Sequence, residues 1–220
     1  MQIDPRQPRL RLHLEHSHPS DADSLDRCDA TSGQPGRTEA LAVSVAPVTK
    51  EIELRRHTDA DDDVLTAAGV AAALAIGAQL QGGYHLAVSS GAQRATQTLA
   101  CFLAALGQQA PGGVLVESGL RSTVEDRWRA AYQKAGSGAL NALREADPEL
   151  VADDSQLLGA ALRRIFDRLP DGGHALAVGH SPTNEAAILG LTGQIVPPLA
   201  KGAGVLVATE DDRYQVEALD

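Results

Sequence analysis

The segment Ala175-Leu176-Ala177-Val178-Gly179-His180-Ser181-Pro182-Thr183-Asn184 decides how this chain is read. Four apolar residues in a row form a short buried strand, and Gly179 ends it. Pro182 suits the first turn of a following helix, where a missing N–H costs nothing. Upstream, Ser155 to Leu169 repeats apolar residues at helical spacing. Leu157, Leu158, Ala161, Leu162, Ile165, Phe166 and Leu169 share one face, and Arg163, Arg164, Asp167 and Arg168 take the other. Pro170-Asp171-Gly172-Gly173 separates that helix from the strand. Helix, buried strand and helix in succession are the repeating unit of a parallel α/β sheet.

The same alternation extends outward. Glu51-Ile52-Glu53-Leu54, His85-Leu86-Ala87-Val88 and Gly113-Val114-Leu115-Val116 read as strands. Thr66 to Leu80 reads as a helix with Thr66 as N-cap and Val70, Leu74 and Ile76 as its apolar positions. Ala92 to Leu106 reads as a second helix closed by Gly107. A polar, helix-tolerant stretch runs from Glu125 to Arg144 and ends at Asp147-Pro148. Val205-Leu206-Val207-Ala208 and Tyr214-Gln215-Val216-Glu217 suggest a terminal hairpin around Glu210-Asp211-Asp212. The expected fold is α/β, a three-layer sandwich with a mostly parallel central sheet, helices on both faces and antiparallel strands late in the chain.

Residues 1–47 differ in kind. They are rich in Asp, Ser, Pro, Gly, His and Arg without a hydrophobic period. Such a segment cannot bury enough apolar surface to offset its ordering entropy. The expected organisation is a disordered polar tail over 1–47 and one domain over 48–220. His13, His16 and His18 in the tail read as solvated polar residues rather than a metal site.

Composition narrows the function. Net charge is −10, which argues against a nucleic-acid partner. No apolar run reaches the roughly 18 residues of a membrane span, and the N-terminus lacks the apolar core of a secretory signal. Cys28 and Cys101 are neither a disulfide framework nor a metal cluster, which fits a reducing, cytoplasmic setting. In so acidic a chain, an anion site must create its own positive field, so each Arg near a strand end is informative.

Open α/β sheets bind ligands beyond the carboxyl ends of their strands. Arg55-Arg56-His57-Thr58-Asp59 follows the first strand. Ser89-Ser90-Gly91-Ala92-Gln93-Arg94 follows the second, and Gly179-His180-Ser181 follows the strand at Ala175. Two imidazoles and two or three guanidinium groups thus meet at one sheet edge. Phosphoryl transfer wants this set. An imidazole can attack phosphorus and hold the phosphoryl group covalently, while arginines clamp its oxygens. His85 and His174 stand at strand beginnings and read as structural.

Here the chain resembles a family. Leu54-Arg55-Arg56-His57-Thr58 is similar to the Arg-His-Gly signature of the histidine phosphatase (phosphoglycerate-mutase-like) superfamily. Leu65-Thr66-Ala67-Ala68-Gly69 resembles its Leu-Thr-x-x-Gly. Ser89 to Thr98 resembles its Ser-x-x-x-Arg-Ala-x-Gln-Thr segment, and Val178-Gly179-His180-Ser181 its second-histidine motif. The order and spacing match from about residue 50 onward. The resemblance implies His57 as nucleophile, Arg56 and Arg94 as phosphate clamps, His180 as a further phosphate ligand, and neither metal nor cofactor.

There are departures. Thr58 stands where the family usually has Gly, and Asp61, Asp62 and Asp63 occupy the stretch where mutase-type members carry an Asn. Leu120-Arg121-Ser122 puts Ser where a Leu-x-Glu would supply the general acid. Glu125 is the nearest substitute, with Asp126 and Glu117 as rivals. The short bacterial phosphohistidine phosphatases manage without that acid, and Val196-Pro197-Pro198 before the last strands is also like theirs. The expected activity is hydrolysis of a phosphomonoester or a phosphohistidine, its partner a small phosphorylated substrate or phosphohistidine protein. The alternatives are a phosphoglycerate-type mutase or a non-catalytic phospho-ligand-binding regulatory module. Specificity is expected from the Ser118 to Leu150 region.

Overall fold

The computed structural model describes residues 49–210 and 213–219. The expectation for residues 1–47, and the turn at Asp211-Asp212, lie outside the described residues. Within them a six-stranded sheet forms from β1 (Lys50–Arg56), β4 (Leu86–Ser89), β5 (Val114–Val116), β6 (His174–Gly179), β7 (Gly204–Glu210) and β8 (Arg213–Leu219). A small ribbon pairs β2 (Ala60–Asp61) with β3 (Val64–Leu65). The order across the main sheet is β5-β4-β6-β1-β7-β8. The first four run parallel, and β7 and β8 are antiparallel. This is the mostly parallel sheet with late antiparallel strands that the alternating pattern implies.

Period-two alternation sorts the strand side chains between two cores. Ile52, Leu54, Leu86, Val88, Ala175 and Ala177 join one cluster with α5 (Pro148–Arg168) and α6 (Thr183–Thr192). Ala87, Leu176 and Val178 join the other with α1 (Ala67–Gly77) and α2 (Gln93–Leu106). Helices therefore cover both faces. No helix among the described residues is long and apolar enough to cross a membrane.

Several local readings need correction. Thr66 is the N-cap of α1, and its side chain accepts from the Gly69 N–H. The buried face of that helix, however, is Gly69, Ala73 and Gly77, whereas Val70 and Leu74 are exposed. Small residues win because the helix lies close to its neighbours. The stretch from Glu125 to Arg144 is two helices, α3 (Glu125–Ala135) and α4 (Leu140–Ala146), broken at a left-handed Gly136. Asp147-Pro148 closes that stretch, with Asp147 as the C-cap of α4, and the same pair also opens α5. The Asp147 carboxylate accepts from the Leu150 N–H, and Pro148 occupies the first turn. Leu157 is exposed, at 65%, so the apolar face of α5 omits it. Pro182 is the N-cap residue of α6 rather than within its first turn.

The α5–α6 contact sets the position of the second-histidine turn. Gly159 and Gly190 let the two helix backbones meet. A Cβ on Gly190 would lie 1.7 Å from the Ser155 carbonyl oxygen. Gly190→Ala must therefore push the helices apart, at a cost of about 3 kcal/mol and roughly 6–12 °C in Tm. A thermal melt of this variant within about 2 °C of wild type would show that the helices do not approach at this point.

Candidate functional site

Three adjacent central strands, β4, β6 and β1, end side by side. The residue after each meets its neighbours through the backbone. His57 N–H donates to the Gly179 carbonyl at 3.0 Å, and Ser90 N–H to the Val178 carbonyl at 3.1 Å. Asn184 bolts two of these ends together. Its Oδ1 accepts from His180 N–H at 3.1 Å, and its Nδ2 donates to the Arg55 carbonyl at 3.1 Å.

This frame brings the two histidine rings together, with centroids 5.2 Å apart and planes tilted by 59°. Nδ1 of His57 lies 2.7 Å from the Thr58 carbonyl oxygen. A carbonyl can only accept, so Nδ1 carries the hydrogen and Nε2 carries the lone pair. Burial, with the charges of Arg94, Arg56 and Lys201 added, pushes the His57 pKa down to about 4. The ring is then neutral at pH 7, as a nucleophile must be.

His180 is buried as well, and burial followed by the Arg94 charge pushes it down to about 3. Its Nε2 shares a hydrogen bond of 2.8 Å with the Ser90 hydroxyl. Its Nδ1 is buried without a partner. When Ser90 donates, the His180 hydrogen sits on Nδ1 and can meet an anion.

Arg94 stands in the first turn of α2 and is half-buried. Its Nη1 donates to Asp63 Oδ1 at 2.9 Å. Asp63 also accepts from the backbone N–H of Gln93 and Arg94, so it orients the helix start and the guanidinium together. Arg56 donates through Nη1 to the Leu199 carbonyl at 2.7 Å, while its Nε is buried without a partner. Native structures rarely leave such atoms unpaired.

Beside His180 lies a cavity of about 270 Å³, lined in part by Arg94, Arg121, Glu125, Trp128, Tyr132 and Ser181. Glu125 shares this cavity with Arg94 and His180, whereas Asp126 and Glu117, like His57 and Arg56, are not in its lining. Asp126 is exposed and paired with Arg129. Glu117 is buried beneath Arg164, at 2.9 Å. Glu125 is bonded to Arg121, which holds its carboxyl below the usual carboxylate range. Ser122 is buried and its Oγ accepts from the Val124 N–H.

Sequence reasoning assigned no role to Ser90, Arg121, Asn184 or Asp63. Ser90 could have been found from its place at a strand end. Asp63 and Asn184 act through partners 31 and 129 residues away, which local pattern does not reveal. Among the described residues, no three His, Cys, Asp or Glu side chains are grouped to hold a metal ion.

No protein-family model matches this chain, and no curated protein matches it at a significant level. Solved structures do match. A phosphoglycerate mutase from Bacillus anthracis aligns with a TM-score of 0.62 at 21% identity, covering 79% of this chain and 93% of its own. The chain shares the fold of this phosphoglycerate mutase. A mycobacterial glucosyl-3-phosphoglycerate phosphatase shares it at a TM-score of 0.59 and 18% identity, covering 77% of this chain and 98% of that one. The alpha-ribazole phosphatase from Shigella flexneri does so at 0.56 and 16%, covering 77% and 95%. At these identities the likeness is one of fold, and this fold is shared by a mutase and phosphatases alike.

The geometry makes a pH prediction. A His whose pKa is lowered stays neutral as pH falls through its ordinary 6.5 and gains its proton only near 4. NMR titration of the His57 ring in phosphate-free protein should show a midpoint near pH 4. A midpoint near 6.5 would contradict the burial and positive surroundings described above.

Proposed function

We propose that this chain is a phosphatase that hydrolyses a phosphomonoester or a phosphohistidine through phosphorylated His57. The observation that carries the proposal is the His57 ring, tied at Nδ1, lone-paired at Nε2, neutral, and set among Arg56, Arg94 and His180. The presence of phosphatases among the proteins of this fold supports it.

In the first step the Nε2 lone pair attacks phosphorus, and the bond from phosphorus to the leaving oxygen breaks. Arg56 and Arg94 bear the charge on the phosphoryl oxygens, and His180 donates from Nδ1. The leaving oxygen takes up a proton. In the second step water attacks the phosphorus of phosphohistidine, the P–N bond returns its electron pair to Nε2, and inorganic phosphate departs. Nothing in this sequence calls on a cofactor.

In this reading Glu125, which lines the cavity beside His180, exchanges protons with the leaving group and the attacking water. Bound to Arg121 it is ionised, so donation requires that a substrate first draw Arg121 away. Protonating a leaving oxygen typically contributes about 10²–10⁴-fold, and an activated leaving group needs less of it. Glu125→Gln should therefore slow hydrolysis of an alkyl phosphate at least tenfold more than that of nitrophenyl phosphate. Equal effects on both, or none, would remove Glu125 from the mechanism.

The assignment itself is tested with a panel of nitrophenyl phosphate, phosphoglycerates, other phosphometabolites and a phosphohistidine protein. Release of inorganic phosphate, abolished in His57→Ala, is the expected result. Isomerisation of a phosphoglycerate without net hydrolysis would make the protein a mutase. Tight phosphate binding without turnover would make it a regulatory module.

A further inference from the structure

We infer that Glu185 is a positioning residue of the phosphate clamp, joining the second-histidine turn to Arg56 through one carboxylate oxygen. The inference rests on the reading of Arg56 as a phosphate ligand. Glu185 lies in the first turn of α6 and is 1% exposed. Its Oε1 accepts from the Ser181 hydroxyl at 2.5 Å and from the Leu199 backbone N–H at 2.7 Å. The carbonyl of Leu199 in turn accepts from Arg56 Nη1 at 2.7 Å. The unbroken path is Ser181, Glu185, Leu199, Arg56. It connects the residue after His180 to the residue before His57.

A carboxylate is needed because of what lies at the other end. Leu199 falls between α6 and β7 in a segment without helix or strand. Pro197 and Pro198 precede it and have no N–H to donate, so Leu199 offers the first donor after them. The Glu185 oxygen takes that donor and fixes the peptide whose carbonyl aims the Arg56 guanidinium. Without it, Arg56 would keep its charge but lose its direction, and a bidentate phosphate contact depends on direction. Glu185 Oε2 and Arg56 Nε are both buried and unpartnered, and the Arg56 charge acts on the Glu185 carboxyl. Burial holds that carboxyl above the usual range, against the pull of these partners. A group so costly to bury serves the site rather than the core.

The experiment uses the full chain with Glu185→Met, which keeps length without an acceptor, and Glu185→Gln, which keeps the Oε1 acceptor. Thermal melts establish that each is folded. The KM and kcat for nitrophenyl phosphate, and inhibition by inorganic phosphate, are measured alongside the exchange rate of the Arg56 Nε–H in NMR spectra. That signal is assigned by its loss in Arg56→Lys.

Glu185→Met should raise KM and weaken phosphate inhibition about tenfold, the scale of one charge-assisted hydrogen bond, with a smaller change in kcat. Its Arg56 Nε–H should exchange faster. Glu185→Gln should restore both readouts to within about threefold, since an amide oxygen accepts the same two bonds. Unchanged phosphate affinity and exchange in Glu185→Met would overturn the inference. So would Glu185→Gln as damaged as Glu185→Met, which points to proton transfer by the carboxyl instead. A Glu185→Met chain that does not fold while Glu185→Gln matches wild type would make the role structural and also overturn it. If wild-type protein neither hydrolyses nor binds phosphate, the phosphatase reading fails, and the Arg56 exchange rate still decides the Glu185 link.

Discussion

The hydrogen bond from His57 Nδ1 to the Thr58 carbonyl is the constraint on which the rest of the site depends. It decides which ring nitrogen holds the hydrogen and which holds the lone pair. It works only because the Thr58 backbone is itself fixed. The Thr58 N–H donates to the Thr98 hydroxyl on α2, and the His57 N–H donates to Gly179 at the end of β6. A single neutral imidazole is therefore oriented by a helix on one face of the sheet and a strand at its centre.

Burial does the second half of the work. Both histidines are forced toward neutrality by loss of water, and the arginines push in the same direction. An acidic chain could have neutralised those arginines, and in part it does. Asp63 takes Arg94 and Glu125 takes Arg121. Arg56 has no carboxylate partner among the described ion pairs, and its hydrogen bonds lead to Glu185 through Leu199. The site thus keeps one directed positive charge beside the nucleophile despite a net charge of −10.

Much of this was legible in the sequence, and for a reason. A buried parallel strand writes itself as a run of apolar residues, and the chemistry follows the run. The ends of β1, β4 and β6 could be read this way, and with them His57 and His180. What pattern could not show was contact across long separations. The small-residue face of α1 was hidden because packing distance, not hydrophobicity, chose it. The start of α5 was misread because Asp147-Pro148 ends one helix and begins the next. Trp128 gave no sign of its bond to buried Asp154, which ties α3 to α5 beneath the cavity. Glu185 looked like an ordinary helix residue, because nothing local shows that its carboxylate meets a backbone N–H fourteen residues on.

The central claim is a covalent bond between phosphorus and His57, and chemical trapping tests it most directly. A phosphoramidate is labile in acid and stable in base. The full chain is mixed briefly with phosphate-labelled substrate, quenched in alkali and digested, and the labelled peptide is sequenced. The account predicts label on the peptide that contains His57, lost on acid treatment, and absent from His57→Ala together with turnover. Label on another residue, or undiminished turnover in His57→Ala, would contradict it.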